Sequence, residues 1–222
     1  MDKKIALIKN NDTWRLVPKL SGKNPIGFKW IYSQKNAKGE VKRYKAILVA
    51  KGYSQKHEID YNEVFALVSR LETIRLIIVT TILHRWKIYQ IDVKSAFLNG
   101  FLEEEVYIKQ RMGFEVNEHK DKGLKLNKAL YELKQTPRAW YSCIDDYFLN
   151  NGFVKYSYEY AIYVKIIESG DNFTVCLYMD DLIFTRNNSK IFGDFKQVMI
   201  KEFKMKDICL IFYYLGIEIK KE

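Results

Sequence analysis

Two adjacent carboxylates, Asp180 and Asp181, lie between two short apolar runs at residues 173–177 and 182–184. Both runs are rich in β-branched and aromatic side chains, which predicts two strands of a β-hairpin with the acids at its turn. Adjacent carboxylates repel each other, and a nearby cation offsets that repulsion. A divalent metal ion, which prefers hard oxygen ligands, would fit this turn, although Asp is also common in hairpin turns that bind nothing.

A third carboxylate, Asp92, ends a segment at residues 87–92 in which polar and apolar residues alternate. This alternation is typical of a half-buried strand, and an acid at the strand end can ligate the same metal ions. Enzymes that join nucleotides hold two metal ions about 3.5–4 Å apart to align the attacking and leaving oxygens. Taken alone, Asp92 fits a helix cap or a turn better than a metal site.

The rest of the pattern predicts an α+β fold, in which an antiparallel sheet carries helices on one face. Further strands are predicted at residues 26–33, 41–50, 105–109, 160–167 and 211–219, with a turn at residues 36–39. Helices are predicted to begin at a capping box of Ser69 and Glu72, at Thr136 with Pro137 in the first position, and at Ser189.

Composition restricts the possible partners and compartments. The net charge of +10 in 222 residues favours a polyanionic partner, and the 48% of hydrophobic residues supplies one large core or two small ones. The three cysteines and three histidines are scattered along the chain, which argues against disulfides and a zinc site and for a reducing compartment. No apolar segment is long enough to span a membrane.

Several motifs, in this order, resemble the reverse transcriptase of copia-type retrotransposons, in a version like those of plant genomes. They lie at residues 14–18 (WRLVP), 45–55 (KAILVAKGYSQ), 90–100 (QIDVKSAFLNG), 133–135 (LKQ), 178–181 (YMDD) and 214–218 (YLGIE). The resemblance covers residues 12–222 and leaves residues 1–11 as an N-terminal extension. It implies an RNA-directed DNA polymerase domain of a Pol polyprotein with the fingers and palm of a right-hand polymerase. The fingers would span about residues 12–85 and parts of 100–150, and the palm about 86–99 and 150–222.

The same resemblance implies roles for individual residues. Asp92, Asp180 and Asp181 would bind two Mg²⁺ or Mn²⁺ ions and serve as the catalytic carboxylates. The implied nucleotide-binding residues are Lys45, Lys51, Phe97, Gln135 and Tyr178, and the Phe97 ring would exclude a ribose 2′-hydroxyl. Tyr214, Leu215 and Gly216 would grip the end of the primer.

The implied partners are an RNA template, a DNA primer and deoxynucleoside triphosphates, with no membrane. Synthesis is expected inside the cell, in the cytoplasm. We also expect a truncated chain, in which the thumb, ribonuclease H and integrase segments of a complete Pol polyprotein are missing.

Some positions depart from the pattern of the family and favour an alternative. Ile47 stands where the family usually has Arg, and Glu58 and Glu132 stand where it usually has Gly. A glycine with positive φ is strained when another residue replaces it. The alternative is therefore a catalytically inactive remnant of a retroelement that at most binds nucleic acid.

Overall fold

A computed structural model of the chain describes residues 2–18, 23–35, 41–93, 95–109, 122–167, 170–186, 192–203 and 209–219. The helices are α1 (Asp2–Asn10), α2 (Leu71–Leu83), α3 (Thr136–Asn150) and α4 (Phe192–Phe203), with 3₁₀ turns at Gly52–Ser54 and Ala96–Asn99. The strands are β1 (Trp14–Val17), β2 (Phe28–Lys35), β3 (Val41–Ala50), β4 (Lys87–Asp92), β5 (Tyr107–Ile108), β6 (Gly123–Leu126), β7 (Val154–Tyr156), β8 (Glu159–Ile166), β9 (Asn172–Tyr178), β10 (Asp181–Arg186), β11 (Cys209–Leu210), β12 (Tyr213–Tyr214) and β13 (Ile217–Glu218). This set of helices and strands confirms a mixed α+β fold with antiparallel sheets. Within the described residues, no helix has the length and apolar character that crossing a membrane requires.

The chain divides into two compact units, and each is built from two separate stretches of sequence. Unit 1 comprises Met1–Ala66 and Phe97–Cys143, and unit 2 comprises Leu67–Ala96 and Ile144–Glu222. The predicted fingers and palm are likewise each assembled from two separate stretches of sequence. However, α2 falls within the predicted fingers and lies in unit 2. The boundaries of fingers and palm stay a prediction.

Unit 1 is built on a three-stranded sheet in the order β1-β6-β5 and on the separate hairpin β2-β3. One apolar cluster forms its core, and Leu48, Ile108, Leu126 and Leu130 are among its buried members. Ile8 of α1 belongs to the same cluster, so part of the predicted N-terminal extension packs into this unit. The helix α1 and the strands β1 and β6 went unpredicted; each of the two strands has only four residues, which give little periodic signal.

Unit 2 contains a six-stranded antiparallel sheet in the order β11-β4-β10-β9-β8-β7. Neighbouring residues of a strand point to opposite faces, so Ile183 and Phe184 of β10 mark the two sides. Ile183 shares a core cluster with Ile74 of α2, whereas the Phe184 ring lies 5.0 Å from the Phe195 ring of α4. Helices therefore cover both faces, and the prediction of helices on one face was wrong. The uninterrupted apolar run at residues 182–184 is what a strand buried on both sides requires.

The helix α3 begins at Thr136, as predicted, and the Thr136 hydroxyl donates to the carbonyl of Leu130 at 2.6 Å. The capping box predicted at the start of α2 was wrong. The residue that precedes α2 is Arg70, which makes no capping bond with its side chain, whereas the Ser69 hydroxyl lies 3.0 Å from the thiol of Cys176. At Ser69 a contact elsewhere in the fold competes with the local cap. Ser189 lies outside the described residues.

The predicted final strand at residues 211–219 is instead the short hairpin β12-β13, in which Tyr214 pairs with Ile217. Leu215 and Gly216 form its turn with positive φ values of 46° and 85°. A continuous strand cannot contain two residues in this conformation. The predicted turn at residues 36–39 lies outside the described residues.

The two glutamates that replace usual glycines both adopt the conformation that favours glycine. The φ angle is 66° at Glu58 and 68° at Glu132. A side chain in this region crowds the following carbonyl oxygen, which costs about 1–2 kcal/mol. The sequence predicted strain at Glu132 if its φ were positive, and that condition is met; Glu58 adopts the same conformation.

We expect Glu58→Gly and Glu132→Gly each to raise the free energy of unfolding by about 1 kcal/mol, because glycine removes the clash at positive φ. The measurement is urea unfolding of each variant. Gln197→Gly serves as the control, since Gln197 is an exposed helical residue of α4 and this change should lower stability by roughly 0.5–1 kcal/mol. If all three variants were less stable than the wild type, the conclusion that Glu58 and Glu132 are strained would be contradicted.

Candidate active site

The acid pair lies at the tip of a tight hairpin in unit 2, as predicted. Tyr178 of β9 pairs with Asp181 of β10, which leaves Met179 and Asp180 as the two turn residues. Met179 has a positive φ of 56°. The strands behind the turn are buried, with Leu177 and Leu182 at 1% and 0% exposure, so the backbone that carries the acids is fixed by the core.

The strand β4 lies beside β10 and brings the third carboxylate to the same place. Asp92 is the register partner of Asp181, and directly opposed residues of antiparallel strands have Cα atoms about 4.5–5.5 Å apart. The backbone N–H of Val93 also donates to the carbonyl of Asp180 at 3.2 Å. Asp92, Asp180 and Asp181 therefore meet at one end of the sheet of unit 2.

The electrostatics at Asp181 reflect this crowding. Burial is the largest cause that raises the pKa of the Asp181 carboxyl, and the charges of Asp180 and Asp92 raise it further. The amide of Gln90 donates to Asp181 Oδ1 at 3.3 Å and opposes the shift. Ionisation of Asp181 is thus less favourable in the protein alone than in water, and a nearby cation would offset this effect.

The donor set fits a hard divalent cation, because it consists of carboxylate oxygens on adjacent, well-fixed strand ends. Asp92 is exposed and Asp180 and Asp181 are half-buried, so a metal ion could reach them from solvent. Within the described ranges, no group of three or more His, Cys, Asp and Glu side chains converges as a ready metal site. The backbone register thus brings the carboxylates together, whereas a coordination sphere is not preformed.

Four of the residues predicted to bind nucleotide lie in unit 1: Lys45, Lys51, Phe97 and Gln135. Gln135 is fully buried, its Oε1 accepts from the amide of Gln55 at 3.0 Å and its Nε2 donates to the carbonyl of Asp60 at 2.9 Å. Its side chain is thus held by protein partners. Lys45 lies in β3, with its side chain outside the described residues.

Lys51 follows β3 and lines a cavity of about 490 Å³ in unit 1. Three further lysines line it, Lys23, Lys56 and Lys109, against the two acids Asp60 and Glu105, so the lining carries a net positive charge. This cavity could not be predicted from local patterns, because its lysines come from three separate segments of the chain.

The remaining predicted residues lie in unit 2. Tyr178 is half-buried and packs against the same core cluster that contains Tyr214. Tyr214 is 2% exposed, and its hydroxyl has no hydrogen-bond partner among the described residues. Burial raises the pKa of Tyr214, and the charge of Asp181 adds to that shift. Leu215 and Gly216 form the turn of the hairpin β12-β13, so a contact with a primer would come from this turn.

The pattern of the reverse transcriptase (RNA-dependent DNA polymerase) family matches residues 11–222. The chain belongs to this family. The match takes in the acidic hairpin, the strand that ends at Asp92 and both compact units. The resemblance seen in the sequence is therefore confirmed.

The relatives identify the branch of the family as copia-type. The chain is 35% identical over 223 residues to the retrovirus-related Pol polyprotein from transposon TNT 1-94 of Nicotiana tabacum, covering 100% of this chain and 17% of that protein. It is 38% identical over 214 residues to the Pol polyprotein from transposon RE1 of Arabidopsis thaliana, covering 95% of this chain and 14% of that protein. A putative transposon Ty5-1 protein of Saccharomyces cerevisiae is 32% identical over 128 residues, 58% of this chain and 41% of that protein. The reverse transcriptase chain thus spans 14–17% of the two plant polyproteins.

We expect Asp181→Asn to raise the free energy of unfolding at pH 7 without metal ions. The pKa of Asp181 is raised on folding, so folding loses stability as the pH rises from the unfolded value through the folded value, and the loss remains at pH 7. Asparagine removes that charge. Urea unfolding in EDTA measures the effect, and Asp146→Asn, an exposed change on α3, should stay within about 0.5 kcal/mol of the wild type. A less stable Asp181→Asn protein would contradict this account.

Because of Cys176 on β9, the free energy of unfolding of the protein should depend measurably on pH in the alkaline range. Burial raises the pKa of its thiol from 9.0 to about 11, although the Ser69 hydroxyl opposes the shift. The folded state therefore favours the neutral thiol, and its contribution is complete below pH 9 and lost as the pH rises towards 11.

Cys176→Ala should be less stable than the wild type at pH 8, and the gap should narrow by up to roughly 2–3 kcal/mol by pH 11. Urea unfolding of both proteins at each pH measures this gap and cancels the titration of other groups. A gap that stays constant from pH 8 to pH 11 would show that the thiol does not titrate as proposed.

Proposed function

We propose that this chain is an RNA-directed DNA polymerase segment of a copia-type Pol polyprotein, with unit 1 acting as fingers and unit 2 as palm. The observation that carries the proposal is the register of β4, β10 and β9, which brings Asp92, Asp180 and Asp181 to one end of a buried sheet. Membership of the reverse transcriptase family supports the reaction.

The reaction is attack of a primer 3′-hydroxyl on the α-phosphate of a deoxynucleoside triphosphate. A new P–O bond forms to the primer, and pyrophosphate leaves. Asp92, Asp180 and Asp181 would hold Mg²⁺ or Mn²⁺. When bound there, two such ions would activate the hydroxyl and neutralise charge on the leaving phosphates.

The protein's own residues bind and orient the reactants. Phe97 would exclude a ribose 2′-hydroxyl, Lys51 would attract the phosphates, and the turn at Leu215 and Gly216 would contact the primer. The cavity beside Lys51 adds positive charge to unit 1. The net charge of +10 favours a nucleic acid partner. Template choice would come from base pairing, so the protein mainly contacts the backbone.

A second candidate is a catalytically inactive member of the family that binds nucleic acid. Ile47 in β3 lacks the guanidinium that the family usually has at this position, and the Gln135 amide is held by Gln55 and Asp60. Both features weaken contacts to a triphosphate. Binding that falls with added salt, without any nucleotide addition, would favour this candidate.

Primer extension on a primed RNA template with Mg²⁺ or Mn²⁺ tests the proposal. The wild type should extend the primer according to the template, and Asp180→Asn should be roughly 100-fold slower or worse. Asp146→Asn on α3 is the matched control and should retain the wild-type rate. No extension by a wild-type protein shown to be folded would contradict the polymerase function.

A further inference from the structure

Phe97 contacts a second aromatic ring within unit 1. Its ring centroid lies 5.4 Å from that of Tyr131, and the two ring planes meet at 77°. This is the edge-to-face arrangement, in which the positive edge of one ring meets the negative face of the other. The pair therefore specifies the orientation of the Phe97 ring as well as its position.

Tyr131 is itself held on two sides. Its carbonyl accepts a hydrogen bond from the N–H of Ala50 at 2.9 Å, and its backbone bridges to Val49 of β3. Its side chain packs against the apolar core cluster of unit 1. The preceding residue, Leu130, is fully buried. Tyr131 thus links the end of β3 and the core to the Phe97 ring.

The backbone of Phe97 is fixed by its neighbours in the chain. It lies in the 3₁₀ turn Ala96–Asn99, and the adjacent Leu98 is 4% exposed. The Leu98 carbonyl accepts from the side-chain amide of Asn11 at 2.6 Å. These contacts hold the main chain. The Phe97 side chain is half-buried and could still adopt more than one rotamer, so a neighbouring side chain is needed to select one of them.

We propose that Tyr131 is a positioning residue that determines sugar specificity by bracing Phe97. The inference rests on the proposed function, in which the Phe97 ring excludes a ribose 2′-hydroxyl. A steric filter works only when its side chain cannot move aside, and sites of this kind tolerate errors of about 0.5 Å. Tyr131 supplies the surface that prevents this movement.

The test compares kcat/KM for a deoxynucleotide and its ribonucleotide in primer extension. Tyr131→Leu keeps an apolar side chain in the core but removes the ring, and it should lower the preference for deoxynucleotides by roughly three- to tenfold. Tyr131→Phe keeps the ring and should keep the preference. An unchanged preference in Tyr131→Leu would overturn the proposal.

Two controls separate bracing from loss of stability and from failure of the proposed function. Trp14→Leu removes another aromatic ring that packs against the same core cluster, and it should leave the preference unchanged. Phe97→Val removes the proposed filter and should lower the preference by roughly 10- to 200-fold. If Phe97→Val leaves the preference unchanged, the role of Phe97 is wrong and the proposal falls with it. An equal loss in Trp14→Leu and Tyr131→Leu would also overturn it.

A second measurement decides the bracing without catalysis. ¹³C relaxation of the Phe97 side chain, assigned by its loss in Phe97→Leu, reports how well the ring is ordered. Tyr131→Leu should lower its order parameter, whereas Tyr131→Phe and Trp14→Leu should not. Equal order in wild type and Tyr131→Leu would overturn the proposal even if no variant extended a primer. An inactive wild type with the expected loss of order would refute the polymerase function, and with it the role in sugar specificity, whereas the bracing of Phe97 by Tyr131 would stand.

Discussion

The candidate active site depends on the pairing register of three neighbouring strands in unit 2. Asp181 is opposite Asp92 on one side and Tyr178 on the other. A shift of β10 by one residue would bring Asp181 to the position of Leu182, which is fully buried. An unpaired carboxylate is costly to bury, so the shift is unfavourable. The apolar core therefore holds together carboxylates that repel each other, and their combined negative charge attracts a cation.

Unit 1 shows the same principle with different chemistry. The Phe97 ring, which is predicted to contact a nucleotide, is supported by Tyr131. Such support fixes a binding group before the ligand arrives and lowers the entropy lost on binding. It also explains why a residue without a predicted role, such as Tyr131, matters to the site. The Gln135 amide is instead occupied by Gln55 and Asp60.

The sequence predicted the parts of the fold whose signals are local. The acidic hairpin and the strand ending at Asp92 follow from apolar runs beside polar residues, and the turn strain at Glu132 follows from a departure at a usual glycine. The parts it missed depend on distant partners. Ser69 contacts Cys176, which is 107 residues away, instead of capping α2. The packing of helices on both faces, the burial of Gln135 and the basic cavity likewise arise only when separate segments meet.

We propose that Asp92, Asp180 and Asp181 form one divalent-metal site, which a Mn²⁺ titration followed by electron paramagnetic resonance can test. The measurement compares the wild type with Asp92→Asn, Asp180→Asn, Asp181→Asn and the exposed control Asp146→Asn. We expect the wild type and Asp146→Asn to bind Mn²⁺ equally, and each of the three other substitutions to weaken binding by roughly tenfold or more. Equal binding by all five proteins, or none by the wild type, would contradict this proposal.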